Sequence, residues 1–128
     1  MRVLIDSHAL IWYVDQDNLL SLTSHATMSD PANDLLLSAG SIWEIGIKVG
    51  LGKIVLTQPF KPWITQAISD LQVTVLPLSV EYVDVQSNLH RHHGDPFDRL
   101  LVAQAIVEQV SIISADANLD AYGIIRIW

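Results

Sequence analysis

The chain has 128 residues, 50% of them hydrophobic, and carries 7 Lys and Arg against 14 Asp and Glu for a formal net charge of -7 at pH 7. That length suits one domain over residues 1–128 with a core of its own, and the absence of cysteine excludes disulfides, thiolate zinc sites and a cysteine nucleophile. The acidic balance argues against a general nucleic-acid binder, which would present a basic face to phosphate, but not against a nuclease whose carboxylates hold cations that reverse the local field.

No apolar run approaches the length of a membrane span. The opening run from Met1 to Ile5 is cut short by Asp6, so no secretory signal is expected and a cytoplasmic location follows as the expectation. From there the chain alternates β-like runs with helical patterns. Arg2 to Ile5 reads as a buried strand that stops at Asp6-Ser7, and His8 to Val14 continues as a helix. Asp6 is either the cap of that helix or an acid at the carboxyl end of a strand, where α/β proteins place their chemistry.

A probable helix over Leu20 to Met28 and a Pro-containing loop precede a second strand, Leu35 to Leu37, and Ser41 opens a helix through Val49. At about 100° per residue, Ile42, Trp43, Ile45, Ile47 and Val49 form a broad apolar face and leave Glu44 and Lys48 on a narrow polar strip. Their i, i+4 order also fits a plain surface ion pair worth about 0.2–0.5 kcal/mol. Lys53 to Leu56 suggests a short extended piece, Trp63 to Leu71 a helix, Val73 to Leu76 a third strand, and Ser79 to Leu89 another helix. The stretch His90, Arg91, His92, His93 lacks thiolates or spaced partners and reads as a solvated loop rather than a zinc site.

Asp95-Pro96 then starts the most informative helix, with an Asp to cap free N–H groups and Pro at the first helical position. From Phe97 to Val110 the apolar residues surround most of the axis, and only Gln104 and Glu108 mark a wet side. Asp98 projects about 100° from those two, among Leu101, Val102 and Ala105, where an ionised carboxylate is expensive unless something pairs with it. A first-turn acid favoured by the helix dipole is the plainer account. The sharper one is a group of carboxylates around Mg2+ or Mn2+, hard ions that take oxygen ligands. Val110 to Ser114 is a fourth strand, ending near Asp116, and Ile124 to Ile127 closes the series. Strands alternating with helices predict an α/β fold of three layers, a central parallel sheet flanked by helices, with ligands outside the carboxyl ends of the strands.

Four blocks of the chain resemble the successive blocks of PIN-domain proteins, and more narrowly of the VapC-type toxins of bacterial toxin–antitoxin pairs. They are Asp6-Ser7-His8-Ala9-Leu10-Ile11-Trp12, Ser41-Ile42-Trp43-Glu44-Ile45, Asp95 through Ala105, and Ser114-Ala115-Asp116. The resemblance implies a metal-dependent endoribonuclease held inactive by a cognate antitoxin, and it favours a homodimer. By position it implies Asp6, Glu44, Asp98 and Asp116 as the catalytic acids, with Asp6, Asp98 and Asp116 as ligands of Mg2+ or Mn2+. Ser7 and Ser114 stand where the family often has Thr, and with Lys48 and Arg99 they are candidate contacts to the RNA substrate. A PIN-like module that binds RNA or protein and keeps its acids only as helix caps is the alternative. A dehalogenase-type phosphotransferase would need a second Asp where His8 stands, and a receiver domain would need paired acids after the first strand.

Overall fold

Two apolar runs build the middle layer. In a computed structural model that describes residues 1–128, Arg2–Ile5 forms β1, in which Val3, Leu4 and Ile5 are fully buried. Alternate side chains of a strand point to opposite faces, so Val3 and Ile5 enter one core while Leu4 enters the other. Asp34–Ser38 (β2) repeats this, with Leu35 and Leu37 on the first face and Leu36 on the second. Burial on both faces is why these strands read as unbroken apolar runs.

Thr74–Leu76 (β3), Ser111–Ile113 (β4) and Arg126–Ile127 (β5) complete a sheet of order β3-β2-β1-β4-β5 in which every pairing is parallel. The chain builds outward from β1 to β3, then returns to lay β4 and β5 on the other side. The strand order therefore reverses between β1 and β4, the place where open sheets of this kind bind ligands outside their carboxyl ends.

Four helices cover the Val3 and Ile5 face: Ser7–Val14 (α1), Leu22–Ser29 (α2), Ala39–Gly50 (α3) and Phe60–Leu71 (α4). They contribute Leu10, Met28, Ile45 and Trp63 to that core. Val80–Ser87 (α5), Pro96–Glu108 (α6) and a 3-10 helix over Ala117–Tyr122 cover the Leu4 face through Tyr82, Leu101, Val102 and Leu119. The fold is thus the three-layer α/β arrangement expected. No helix is long and apolar enough to cross a membrane.

α3 and α6 meet at Gly40, where a Cβ would lie 2.5 Å from Leu100 Cδ2, so any larger residue there would force the Leu100 side chain to shift. One turn on, the Trp43 ring packs edge-on against Phe97 at 5.7 Å. This contact brings the helix carrying Glu44 against the helix carrying Asp98.

Several expectations are corrected. α3 begins at Ala39 rather than Ser41, because the Ser38 hydroxyl at the end of β2 accepts from Gly40 N at 3.0 Å and caps it. Similarly, α2 starts at Leu22 behind the Ser21 cap, and Leu20 serves the core from outside the helix. Lys53 to Leu56 is no strand; Lys53 N and Ile54 N both donate to Lys48 O, which closes the end of α3 and leaves nothing for a ladder. Gln104 is not on a wet side but fully buried under the chain that leaves β3, donating to Pro77 O at 3.3 Å.

Candidate active site

Parallel pairing lines up the carboxyl ends of β1, β2 and β4, and the acids gather there. Asp6 is the first residue after β1. Its backbone N–H donates to Ile113 O at 3.0 Å, binding the end of β1 to β4. Its Oδ1 accepts from His8 N at 3.0 Å, which caps α1, and its Oδ2 accepts from the Ser114 hydroxyl at 2.5 Å, across the strand-order reversal. Burial pushes the Asp6 carboxyl above its usual range, and the Glu44 charge adds to this against the two hydrogen bonds. Asp6 is therefore both the cap and an acid held at a cost.

Glu44 lies in the second turn of α3. Its Oε1 accepts from the Ser7 hydroxyl at 2.7 Å and its Oε2 from Lys48 Nζ at 2.8 Å. The i, i+4 pair exists, but its acid is 7% exposed, so it is not the surface pair that spacing alone allows.

Asp95 Oδ1 accepts from Phe97 N and Asp98 N, at 2.9 and 3.1 Å, so it caps α6 as Asp95-Pro96 suggested. Asp98 follows in the first turn. Burial, then the charges of Asp95 and Asp6, raise its carboxyl to about 6, with a smaller push from Glu44 and against a hydrogen bond from His93. Lys48 brings a positive charge to these acids. Burial lowers its pKa, but the bond to Glu44 and the charges of Glu44, Asp95 and Asp98 outweigh that and raise it.

A hard divalent cation suits this set of donors, since carboxylates that raise one another's pKa are relieved by positive charge between them. No three acidic or histidine side chains gather around one point as they stand. Mg2+ does not require three: it keeps several waters and is held through one or two carboxylates with substrate phosphate. Asp98 and Asp6, whose charge raises the Asp98 carboxyl, supply two.

The sequence profile of the PIN domain matches residues 3–125. The chain belongs to the PIN domain family. It is 27% identical over 120 residues to Ribonuclease VapC22 of Mycobacterium tuberculosis, covering 94% of this chain and 91% of that protein. Among solved structures it resembles a chain of the VapBC2 complex of Rickettsia felis bound to a DNA fragment from its promoter, with TM-score 0.73, 12% identity, and 98% and 97% of the two chains covered. It also resembles a chain of FitAcB from Neisseria gonorrhoeae, with TM-score 0.60, 13% identity, and 97% and 95% covered. At those identities the two structures speak for the fold alone.

Within this PIN domain the remaining candidates have other work. Ser7 and Ser114 are buried, and each spends its hydroxyl proton on an acid, Ser7 on Glu44 and Ser114 on Asp6, so they orient carboxylates rather than meet substrate. Arg99 is also withdrawn from substrate contact. Its buried guanidinium donates to the carbonyls of Gln86, Leu89 and His90 at 3.0–3.2 Å and to the Tyr122 hydroxyl at 3.3 Å. Gln86 O in the last turn of α5, the negative pole of that helix, and the carbonyls of Leu89 and His90 just beyond it take the place of a counter-ion. Asp116 shares the edge, with its N–H donating to Ser114 Oγ, but its carboxylate caps the 3-10 helix through Asn118 N and its charge acts on Arg126.

Reading the histidine stretch as a solvated loop misses one residue. His93 is half-buried, with Nε2 3.3 Å from Asp98 Oδ2 and Nδ1 2.6 Å from the Tyr122 hydroxyl. Only its position five residues before Asp98 hinted at this.

Proposed function

We propose that this PIN domain, residues 1–128 as one domain, is an endoribonuclease that hydrolyses RNA phosphodiester bonds with Mg2+ or Mn2+ and is the toxin of a toxin–antitoxin pair. The observation that carries the reading is the pair Asp6 and Asp98: two carboxyls brought together from opposite ends of the chain, both raised in pKa and neither given an ammonium or guanidinium partner. A buried structural acid is normally paired with a Lys or Arg; a couple without either, at the strand-order reversal, is arranged for a ligand.

In this reading Asp6 and Asp98 hold the ion, and Asp116, one hydroxyl removed from Asp6, acts on it through water. When bound, a divalent ion lowers the pKa of a water, polarises the scissile phosphate and stabilises the leaving oxygen. Glu44, fixed by Ser7 and Lys48, orients the attacking water by accepting its hydrogen bond. Ser114 holds Asp6 in place. Lys48 keeps the acids together and, alone among the cationic candidates, retains donors for a phosphate oxygen. That the substrate is RNA rests on the likeness to the M. tuberculosis ribonuclease, and the antitoxin on the likeness to chains of the VapBC2 and FitAcB complexes together with the toxin-type sequence blocks. A homodimer and a cytoplasmic location complete the proposal.

Purified protein incubated with single-stranded RNA tests it. Cleavage is expected with Mg2+ or Mn2+, lost with chelator, restored by added ion, and suppressed by the small protein encoded beside the gene. Cleavage that persists in chelator would overturn the metal dependence, and a folded protein that cuts no RNA with either ion would overturn the reading in favour of a non-catalytic binding module.

A further inference from the structure

The chain Arg99, Tyr122, His93, Asp98 has a direction, and that direction follows from which atoms hold hydrogens. Arg99 can only donate. Its Nη1 and Nη2 are committed to Gln86 O, Leu89 O and His90 O, and Nη1 also donates to the Tyr122 hydroxyl. Tyr122 has one proton, so having accepted from Arg99 it donates onward to His93 Nδ1 at 2.6 Å. Nδ1 is then the acceptor, and the imidazole proton sits on Nε2, which faces Asp98 Oδ2 at 3.3 Å. A carboxylate needs a donor there, so both ends of the ring agree. Asp98 Oδ2 is thereby engaged, and no protein group hydrogen-bonds its other oxygen.

The anchor of this chain is stiff. Three main-chain carbonyls at the end of α5 hold a buried guanidinium, and Gln86 Nε2 ties the same turn to Pro96 O at the start of α6. Tyr122 ends the 3-10 helix that begins after Asp116, and the edge of the His92 ring rests on it at 4.8 Å. The end of α5, the 3-10 helix and the His93 loop are thus referred to one side chain of α6.

We propose that Tyr122 and His93 are positioning residues for Asp98: the Tyr122 hydroxyl sets the His93 tautomer, and His93 Nε2–H holds the Asp98 carboxylate in the one orientation that receives a divalent cation. This rests on the reading of Asp98 as an ion-holding acid. Groups that hydrogen-bond a ligating side chain tune the site as strongly as many ligands do, and their loss weakens metal binding by about 10–100-fold.

The test uses two measurements on the full chain. Proton–nitrogen correlation spectra of the metal-free protein report which His93 nitrogen carries hydrogen: Nε2–H with an accepting Nδ1 is expected in the wild type. In Tyr122→Phe the Nδ1 hydrogen-bond shift is expected to disappear. An Nδ1–H tautomer in the wild type would overturn the proposal. Calorimetric titration with Mn2+ is the second measurement. Tyr122→Phe and His93→Asn are expected to weaken Mn2+ by about tenfold or more, whereas His93→Gln, whose amide N–H replaces Nε2–H, restores most of the affinity. A merely structural histidine would not distinguish Gln from Asn in this way. Asp98→Asn separates the two readings. If it binds Mn2+ as the wild type does, the ion site itself is wrong. If it loses Mn2+ while Tyr122→Phe and His93→Asn bind normally, the site stands and the relay falls. Circular dichroism of each variant confirms the fold, which the three carbonyls on Arg99 maintain without the Tyr122 hydroxyl.

Discussion

The two ends of α6 carry acids with opposite fates. Glu108, its last residue, accepts from Arg2 Nη2 at 2.8 Å and from the Tyr82 hydroxyl at 3.0 Å, and these bonds hold its carboxyl below the usual range. Asp98, in the first turn, is largely withdrawn from water, has a single imidazole contact and faces Asp95 and Asp6; burial first and then those charges push its carboxyl up to about 6. The helix dipole favours the reverse, an acid at the amino end and none at the carboxyl end, by about 0.3–1 kcal/mol. Neighbouring side chains therefore outweigh the backbone at both ends. An acid that supports the fold is satisfied by its partners, while an acid kept for chemistry is held where its charge is opposed.

Exchanging each acid for its amide tests this contrast most severely. Asp98→Asn is expected to lower metal-dependent RNA cleavage about a thousandfold, the scale of several kcal/mol of transition-state stabilisation, while Glu108→Gln leaves the rate unchanged in a single-turnover assay. Comparable losses in both variants would erase the distinction.

A smaller effect appears in stability against pH. The Asp98 carboxyl is raised in the folded state, so the folded protein holds its proton more tightly than the unfolded chain does. That contribution to stability is full at acid pH below about 4, the unfolded value, and is lost as pH rises through about 6. Metal-free Asp98→Asn is therefore expected to melt a few degrees higher than the wild type at pH 8 and to lose this advantage by pH 4, read by thermal denaturation in chelator. Glu108 has the opposite sign: its lowered pKa gives stability above the unfolded value that is lost as pH falls through the folded one.

The smallest effect is the stability change in Glu108→Gln. Arg2 has a side chain 47% exposed, so solvent screens the pair, and the loss is expected at about 0.5–1 kcal/mol by urea denaturation at neutral pH.

Much of this architecture is legible in the residues alone. Strands buried on both faces betray themselves as short apolar runs, and β1, β2 and β4 fall where those runs lie. The polar stops after them bring Asp6 and Ser114 to one edge. Glu44 is legible from the narrow polar strip it shares with Lys48, and Asp98 because it stands among apolar residues of its helix. Gln104 is not, because its burial depends on the chain leaving β3, which no helical wheel contains. Arg99 is not either: next to Asp98 it suggests a phosphate or an ion pair, but its partners are main-chain carbonyls, which leave no trace in residue identity. His93 requires Tyr122, 29 positions away, to fold back upon it. Asp116 is read correctly as sharing the edge, yet its short 3-10 helix, capped by that same carboxylate, lacks any apolar period to announce it.

The central place of β1 has a consequence for synthesis. Asp6 leaves the ribosome well before the strand that flanks it on one side and the hydroxyl that grips it, which belong to residues 111–114. A nascent chain halted before that point has Asp6 and Glu44 but neither β4 nor Ser114. The proposed reactive centre is therefore completed only once β4 and Ser114 have been made and have folded back against β1.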